Sequence, residues 1–251
     1  GDNWIRAAIS KISGNRNSPL PFDQIIQFLS DYSNHADSRV EAFRLIQSFQ
    51  PSRAELLIPG FLNDPVMAKR REAVAKKLSA AKNETNKSER INLFNAALNK
   101  AREVDQITEA SKALEGDGVN INLIELMGFV VDWQTIGPFD NTKRKGFNSI
   151  YPPEQKINYS ASYQGKNDSV KWSPLSTEHV LGLVNINEQY GEIKEVAAYA
   201  HTQFTFGKNM NAQFRIGSKN AWKLWVNGKL LFARDEYHRG KTRIDQFVID
   251  G

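Results

Sequence analysis

The chain contains no cysteine among its 251 residues. This absence excludes disulfide bonds, thiolate metal ligands and cysteine nucleophiles. No run of about 18 apolar residues occurs either, and a membrane-spanning helix needs a run of that length. The first residues, Gly1 to Trp4, have neither the basic start nor the apolar segment of a secretion signal. We therefore expect a chain that does not insert into a membrane.

The common catalytic signatures are missing as well. The sequence has no Gly-x-Ser-x-Gly elbow, no His-Glu-x-x-His, no glycine-rich phosphate loop and no EF-hand spacing. Its four histidines lack the spacing of metal ligands; they are His35, His179, His201 and His238. Carboxylates such as Asp235 and Glu236 could serve glycoside hydrolysis, but such a pair is defined by its separation in space. The sequence predicts no catalytic residue, no cofactor and no bound metal.

Positive charge exceeds negative charge, which gives a formal net charge of +5. The densest cationic clusters are Lys69-Arg70-Arg71, Lys76-Lys77 and Lys143-Arg144-Lys145. The first two clusters share a segment with a helical stripe of Val66, Val74, Leu78 and Ala81. That pattern predicts an amphipathic helix whose cations face the solvent. Because no helix-turn-helix or RNA-binding signature accompanies the charge, we expect no nucleic-acid partner.

The N-terminal half repeats the helical period, with apolar residues three and four positions apart. Such stripes are formed by Trp4, Ile5, Ala8, Ile9 and Ile12, by Phe22, Ile25, Ile26, Leu29 and Tyr32, and by Val40, Phe43, Ile46 and Phe49. Asp64-Pro65 is typical of an N-cap followed by proline at the first helical position, and Gly116-Asp117-Gly118 is typical of a helix end. We predict an all-helical domain over residues 1–124, built from stacked HEAT-like pairs, although no self-similar period is visible.

The pattern changes near Trp133, where short β-like runs begin to alternate with turn residues. The predicted strands are Trp133–Ile136, Ser169–Trp172, Ala197–Phe206, Ala212–Gly217, Trp222–Val226 and Lys229–Ala233. Asn227-Gly228 joins the last two runs and favours a two-residue hairpin turn. Alternation along the first of these two runs places Trp222 and Trp225 on opposite faces, so one indole should lie outside the buried layer. We predict an antiparallel β-sandwich over residues 125–251.

Two segments resemble a known family. Ile216-Gly217-Ser218 and the following Ala221–Lys229 run resemble the hairpin of galactose-binding-like jelly rolls, with Trp225-Val226-Asn227-Gly228-Lys229 at its turn. Trp133-Gln134-Thr135-Ile136-Gly137-Pro138-Phe139-Asp140-Asn141 is similar to the opening of that domain in large uncharacterised bacterial proteins, where a HEAT-like helical region often precedes it. The resemblance implies one or two further strands after the hairpin. Lys219-Asn220 stands where the family commonly has an Asp pair, which puts contacts by those positions in doubt.

The resemblance and the aromatic content favour sugar recognition, which uses an aromatic face for the ring and a few polar groups for its hydroxyls. Candidate platforms are Trp225, Trp172, Tyr151 and Tyr237, and candidate polar partners are Asp140, Asn141, Asn220 and Arg234. The tryptophans could instead pack in a core or between domains. Asp140 and Asn141 could simply cap their own turn, since Asp and Asn side chains bond to nearby backbone groups.

Three functions from different classes therefore stay open. The first is a non-catalytic module that binds carbohydrate or a cell-surface glycan, with the helical half as its scaffold. The second is a protein-interaction scaffold that uses the helical half. The third is an enzyme with an unrecognised site, or an accessory part of a larger carbohydrate-active enzyme. The family resemblance implies a bacterial exported protein, periplasmic or extracellular.

Overall fold

A computed structural model of the chain describes residues 11, 14, 20–236 and 247–250. The stripe residues from Trp4 to Ile12, the candidate Tyr237 and His238 lie outside the described residues. The chain divides into two compact units, Gly1–Ala101 and Arg102–Gly251. Residues 102–124, which the sequence pattern places in the helical domain, fall in the second unit.

The first unit is helical throughout its described part. Its elements are α1 (Phe22–Ser30), α2 (Ala36–Phe49), α3 (Pro51–Leu57), a 3-10 helix (Ile58–Asn63), α4 (Met67–Asn83) and α5 (Lys87–Leu98). Elements that follow one another along the chain pack together. Their shared core consists of Leu29, Phe43, Ile46, Ala54, Ile58, Phe61 and Ala73. The apolar stripes predicted for α1 and α2 are confirmed in part, because these two helices bury Leu29, Phe43 and Ile46. Tyr32 lies beyond the end of α1, and both Tyr32 and Phe49 are exposed.

Helix α4 begins later than its sequence suggests. It starts at Met67, so Pro65 is not its first residue. Asp64 is fully buried and pairs with Arg39, whose Nη1 and Nη2 lie 3.1 and 2.5 Å from the two carboxylate oxygens. Asp64 Oδ1 also accepts a hydrogen bond from Val66 N at 2.8 Å. The side chain that resembled a simple helix cap is therefore the buried half of an ion pair.

Lys69 contradicts the prediction that the cations of α4 all face the solvent. Only 2% of its surface is exposed, because it lies one helical turn before the buried Ala73 and so shares its face. The Lys69 Nζ lies 5.0 and 4.6 Å from the ring centroids of Phe43 and Phe61. Among the described residues Nζ has no hydrogen-bond partner. Burial lowers the pKa of Lys69 to about 8, since it disfavours the charged form.

The second unit mixes helices and strands. Its helices are α6 (Val104–Gly116), α7 (Leu123–Met127), α8 (Pro152–Gln155) and α9 (Ile186–Tyr190). Its strands are β1 (Asp132–Asp140), β2 (Ser162–Gln164), β3 (Ser169–Lys171), β4 (Ser173–Ser176), β5 (Val196–His201), β6 (Gln213–Ile216), β7 (Trp222–Val226), β8 (Lys229–Arg234) and β9 (Phe247–Asp250). All the strand pairs are antiparallel: β4-β1-β5, β2-β3, β6-β9 and β7-β8. The fold is thus mixed α and β with small antiparallel sheets.

Strand β1 organises the core of this unit. It pairs with β4 from Asp132 onwards and with β5 as far as Asp140, and its register with β5 shifts between Ile136 and Phe139. Pro138 lies within the shift, where its missing N–H breaks no ladder bond. The buried cluster consists of Ile136, Phe139 and Val170, with Tyr151, Tyr163, Trp172, Ala197 and Tyr199 packed against it. The pairing of Phe139 and Asp140 with β5 fixes the end of β1, where the candidate site lies.

The hairpin predicted at Asn227-Gly228 is confirmed. These two residues have φ angles of 50° and 79°, and a two-residue turn with both central residues left-handed joins β7 to β8. Trp222 and Trp225 are both half-buried, and they contact different aromatic residues: Trp222 contacts Phe232 and Phe247, and Trp225 contacts Tyr199. Trp222 stacks on Phe232 with ring centroids 4.7 Å apart.

Strand β5 is shorter than predicted. It ends at His201 instead of continuing to Phe206. No strand in the described part of the chain pairs with residues 202–206, and Phe204 and Phe206 are exposed. The alternating sequence is compatible with a strand, but a strand also needs a partner for its backbone groups.

Within the described ranges, no helix combines the length and the apolar character needed to cross a membrane.

Candidate functional site

A polar pocket of about 350 Å³ opens at the end of β1. Its lining comes from a single stretch of ten residues: Asp140, Asn141, Thr142, Lys143, Lys145, Gly146 and Ser149. The stretch leaves the three-stranded sheet at Asp140, which pairs with Val196 of β5. The sheet therefore fixes one end of the pocket, and a turn supplies the rest.

Side chains at the start of the turn hold its shape. Asp140 Oδ1 accepts hydrogen bonds from Thr142 N at 3.2 Å and Thr142 Oγ1 at 2.6 Å. Asn141 Oδ1 accepts one from Gly146 N at 2.7 Å, and Asn141 N donates to Glu195 O at 3.0 Å. This agrees with the interpretation that Asp140 and Asn141 cap their own turn.

The same two side chains keep polar atoms for a ligand. Asp140 Oδ2 and Asn141 Nδ2 have no hydrogen-bond partner within the described part of the chain. The hydrogen bond from the Thr142 hydroxyl lowers the pKa of Asp140, and Lys166, whose Nζ lies 3.9 Å from Oδ1, acts in the same direction. The exposed Asp140 side chain is therefore a carboxylate at neutral pH, ready to accept hydrogen bonds from hydroxyl groups.

Tyr151 supports the pocket from below. Its hydroxyl donates to the backbone oxygen of Asp140 at 2.5 Å. A side chain at Gly146 would overlap this hydroxyl and the Asn141 amide, so the close approach requires glycine. Burial, Asp140 and Glu154 all raise the pKa of Tyr151, which keeps the phenol protonated as a donor.

Lys143 and Lys145 form the cationic rim of the pocket, and the backbone of this segment is unusual. Lys143 and Arg144 adopt φ angles of 58° and 59°, a left-handed conformation that residues other than glycine rarely take. Lys143 N donates to Glu195 Oε1 at 3.0 Å, and Lys166 Nζ donates at 2.9 Å to the backbone oxygens of Lys194 and Glu195. These bonds to the residues before β5 stabilise the turn. The ammonium groups of Lys143 and Lys145 have no ion-pair partner among the residues described.

An aromatic cluster lies behind the pocket. Tyr151 is 5.2 Å from Phe139 and 6.0 Å from Tyr199, measured between ring centroids, and Tyr199 is 6.3 Å from Trp225. The Tyr199 hydroxyl donates to Glu154 Oε1, and burial is the main cause that raises the pKa of Tyr199. Trp225 is thus connected to the pocket through Tyr199 and Tyr151.

Lys223 joins the hairpin to the turn. Its Nζ lies 4.9 Å from the ring centroid of Phe147 and 5.7 Å from that of Trp225. Phe147 directly follows Gly146 of the pocket lining. A further cation and the edge of the aromatic cluster therefore lie next to the turn that forms the pocket.

Trp172 belongs to a different group. It packs edge-on to Tyr159, with centroids 5.5 Å apart, and both rings contact His201. The Tyr159 hydroxyl and His201 Nδ1 are 2.5 Å apart, and burial lowers the pKa of His201. Trp172 also packs against the buried cluster of β1. The structure does not bring it into the lining of the polar pocket.

The remaining candidate residues lie elsewhere in the second unit. Asn220 is exposed in the loop before β7, and its backbone oxygen accepts a hydrogen bond from Ser218 Oγ. Arg234 lies over the Phe247 ring, 4.9 Å from its centroid, and pairs with Glu236 at 3.0 Å. Of the predicted set, Asp140, Asn141 and Tyr151 are brought together directly, and Trp225 is joined to them by the aromatic cluster.

Sequence reasoning did not select Thr142, Lys143, Lys145, Gly146 and Ser149 as site residues. Part of the signal was visible, because Lys143-Arg144-Lys145 is one of the densest cationic clusters. The left-handed backbone and the contact with Glu195 were not visible, since neither leaves a motif.

No group of three or more His, Asp or Glu residues in the described ranges is arranged to hold a metal. In the comparisons with known proteins, no family model, no curated protein and no solved structure matches the chain.

Proposed function

We propose that the protein is a non-catalytic glycan-binding module whose second unit binds a sugar residue in the pocket at the end of β1. The observation that carries the proposal is that an aspartate, an asparagine, two hydroxyl-bearing residues and two lysines line one pocket of about 350 Å³. Pockets of this size hold small organic ligands. A sugar ring presents many hydroxyls, and this lining offers both donors and acceptors for them.

The arrangement of the polar atoms supports binding. Asp140 Oδ2 can accept from a hydroxyl, and Asn141 Nδ2 can donate to one. The bonds that Asp140 and Asn141 make within the turn hold both side chains in place, so little side-chain entropy is lost when a ligand binds. Tyr151 and its aromatic neighbours provide a stiff support under the turn.

The composition of the lining favours binding over hydrolysis of a glycoside. Hydrolysis uses two carboxyl groups on opposite sides of the scissile bond. Of the described residues that line the pocket, Asp140 alone carries a carboxylate. Its lowered pKa suits an acceptor of hydrogen bonds, whereas a general acid needs a raised one.

We also propose that the second unit is a galactose-binding-like jelly roll and that the helical part is HEAT-like. The Trp133–Asn141 and Ile216–Lys229 segments support this proposal by their resemblance to that family. A bacterial exported protein, periplasmic or extracellular, is the corresponding location, because such modules mostly meet glycans there. The helical part would then act as the scaffold that carries the module.

A glycan array probed with the whole chain tests the binding function. The informative variant is Asp140→Asn, in which the amide oxygen can still accept both bonds from Thr142 while the charge is lost. A hydrogen bond to a charged group contributes roughly 1.5–3 kcal/mol, so affinity should fall about tenfold to a hundredfold. Asp168→Asn, at an exposed aspartate outside the lining, is the matched control and should bind normally.

Two results would oppose the proposal. If the whole chain binds no glycan on the array, the second unit is not a glycan module and the protein-interaction scaffold becomes the better hypothesis. If a glycan binds equally well to the parent chain and to Asp140→Asn, the pocket is not its site. Trp225→Ala, checked for folding by circular dichroism, would then show whether the aromatic cluster holds the sugar instead.

A further inference from the structure

We infer that the pocket takes an anionic sugar residue, one that carries a carboxylate or a sulfate group. The inference rests on the proposed function and adds the chemical class of the ligand. It starts from the cationic cluster Lys143-Arg144-Lys145. Unlike the other two dense cationic clusters, this one does not lie on helix α4. Two of these residues, Lys143 and Lys145, line the pocket.

The charges around the pocket do not cancel at the rim. Asp140 already has a nearby cation in Lys166, at 3.9 Å. The Glu195 carboxylate accepts the backbone N–H of Lys143, not its ammonium group. Lys143 and Lys145 are both exposed, and within the described residues neither ammonium group has a counterion. The rim therefore carries two positive charges that an anionic group on a ligand could neutralise.

The backbone presents these lysines in a defined way. Lys143 takes a left-handed conformation that costs free energy for a residue with a side chain. Such costs persist where surrounding contacts enforce them, and here Lys143 N bonds to Glu195 Oε1. A turn that only needed to reverse the chain would be easier to build with Gly or Asn at this position. The strained position instead holds a lysine of the pocket lining.

The same lining disfavours a nucleic acid as the ligand. Nucleic-acid binding uses an extended basic surface that neutralises several successive phosphates. Here the two rim lysines belong to a pocket that one stretch of ten residues forms, so they do not provide such an extended surface. A carboxylate or sulfate on a sugar can reach the lysines while a neighbouring hydroxyl donates to Asp140. An anionic saccharide therefore fits both signs of charge.

Matched pairs of ligands test the inference with the whole chain. Uronate oligosaccharides are compared with their methyl esters, and sulfated oligosaccharides with their desulfated forms, by titration calorimetry at low salt. We expect the charged member of at least one pair to bind about tenfold more tightly, since two rim ion pairs each contribute modestly. Raising the salt concentration should reduce this preference because exposed charges are screened.

The double variant Lys143→Asn/Lys145→Gln removes both rim charges while Asn tolerates the left-handed conformation. It should lose about tenfold in the ratio of its affinities for the charged and the neutral member of the pair, so that the variant no longer prefers the charged ligand. The matched control is Lys171→Gln/Lys229→Gln, which removes the same charge from exposed positions outside the lining. This control should keep the preference.

Each other outcome is decisive. Equal binding of both members in every pair overturns the anionic inference and leaves the glycan-binding function intact. No binding of any saccharide, charged or neutral, overturns the proposed function together with the inference. Binding of polyphosphate or duplex DNA as tightly as the charged sugars, lost in the same double variant, would mean that the rim binds anions without recognising a sugar, and it also overturns the inference.

Discussion

Replacing the buried lysine of the helical unit should make the protein more stable. Lys69 is 2% exposed, and its Nζ has no hydrogen-bond partner among the described residues. The change Lys69→Met keeps a long flexible side chain of similar length, so it fills the space between Phe43 and Phe61 with little strain. It removes the cost of burying a charge that has no direct counterion.

The magnitude follows from the pKa of Lys69. Its fall from 10.5 to about 8, at about 1.4 kcal/mol for each pH unit, corresponds to roughly 3 kcal/mol of lost stability while the lysine is charged. The contacts of the buried ammonium with the two aromatic rings return about 2 kcal/mol, the magnitude for a desolvated site. We therefore expect Lys69→Met to raise the free energy of unfolding by about 1 kcal/mol at pH 7.

The pH dependence gives the prediction its sign. Below pH 8 the lysine is protonated in both the folded and the unfolded state, so the full cost is present. Between pH 8 and 10.5 the unfolded state binds a proton that the folded state does not, so the stability of the parent chain gains on that of the variant as pH rises. The advantage of Lys69→Met should therefore shrink steadily across this window and vanish above it.

Hydrogen exchange followed by mass spectrometry measures the local free energy of unfolding in peptides from α2 and α4. Peptides from β7 and β8 in the second unit report whether the change is confined to the helical unit. Lys77→Met, at a half-exposed position on the same helix, serves as the control and should have little effect. The reasoning fails if Lys69→Met destabilises these helices, or if its advantage at pH 7 is unchanged at pH 10.

Three further predictions concern single positions. Asp64→Asn should cost about 3–5 kcal/mol in chemical denaturation, because it leaves the buried Arg39 unpaired; a loss below 1 kcal/mol would contradict this. Gly228→Ala should cost roughly 1–2 kcal/mol from its left-handed φ alone, whereas Gly207→Ala, equally free of neighbours, should be neutral. Gly146→Ala should displace Tyr151 and abolish glycan binding in calorimetry, and undiminished binding would exclude this pocket.

Local signals in the sequence predicted those elements whose structure depends on neighbouring residues. The β7–β8 hairpin was predictable because Asn227-Gly228 fits a left-handed turn whatever surrounds it. The helices α1 and α2 were predictable because their apolar residues recur on one face. Lys69 was not predictable in this way, since helical periodicity describes an average face and does not show that a long side chain can enter the core between two aromatic rings.

The candidate site was predictable only in part, for a similar reason. Asp140 and Asn141 stood out because they lie in a predicted loop and belong to residue types that favour turns. Tyr151 was chosen for its ring, but its contribution comes from a hydroxyl that supports the backbone of Asp140. The rim lysines were considered only as part of a nucleic-acid interface, because an exposed lysine is common and its meaning depends on a counterion that only three-dimensional structure can reveal.

The pocket is lined by one short stretch of the chain, and this determines how its specificity could change. Every lining residue lies between positions 140 and 149, whereas the sheet that anchors the turn is built from residues outside that stretch, except for the last residue of β1. Substitutions within the turn can alter charge and hydrogen bonding without disturbing the pairing of β1 with β4 and β5. The unit is therefore a scaffold on which one short segment can be exchanged for another, so that related chains could share its sheets and, under the proposed function, differ in their sugar specificity.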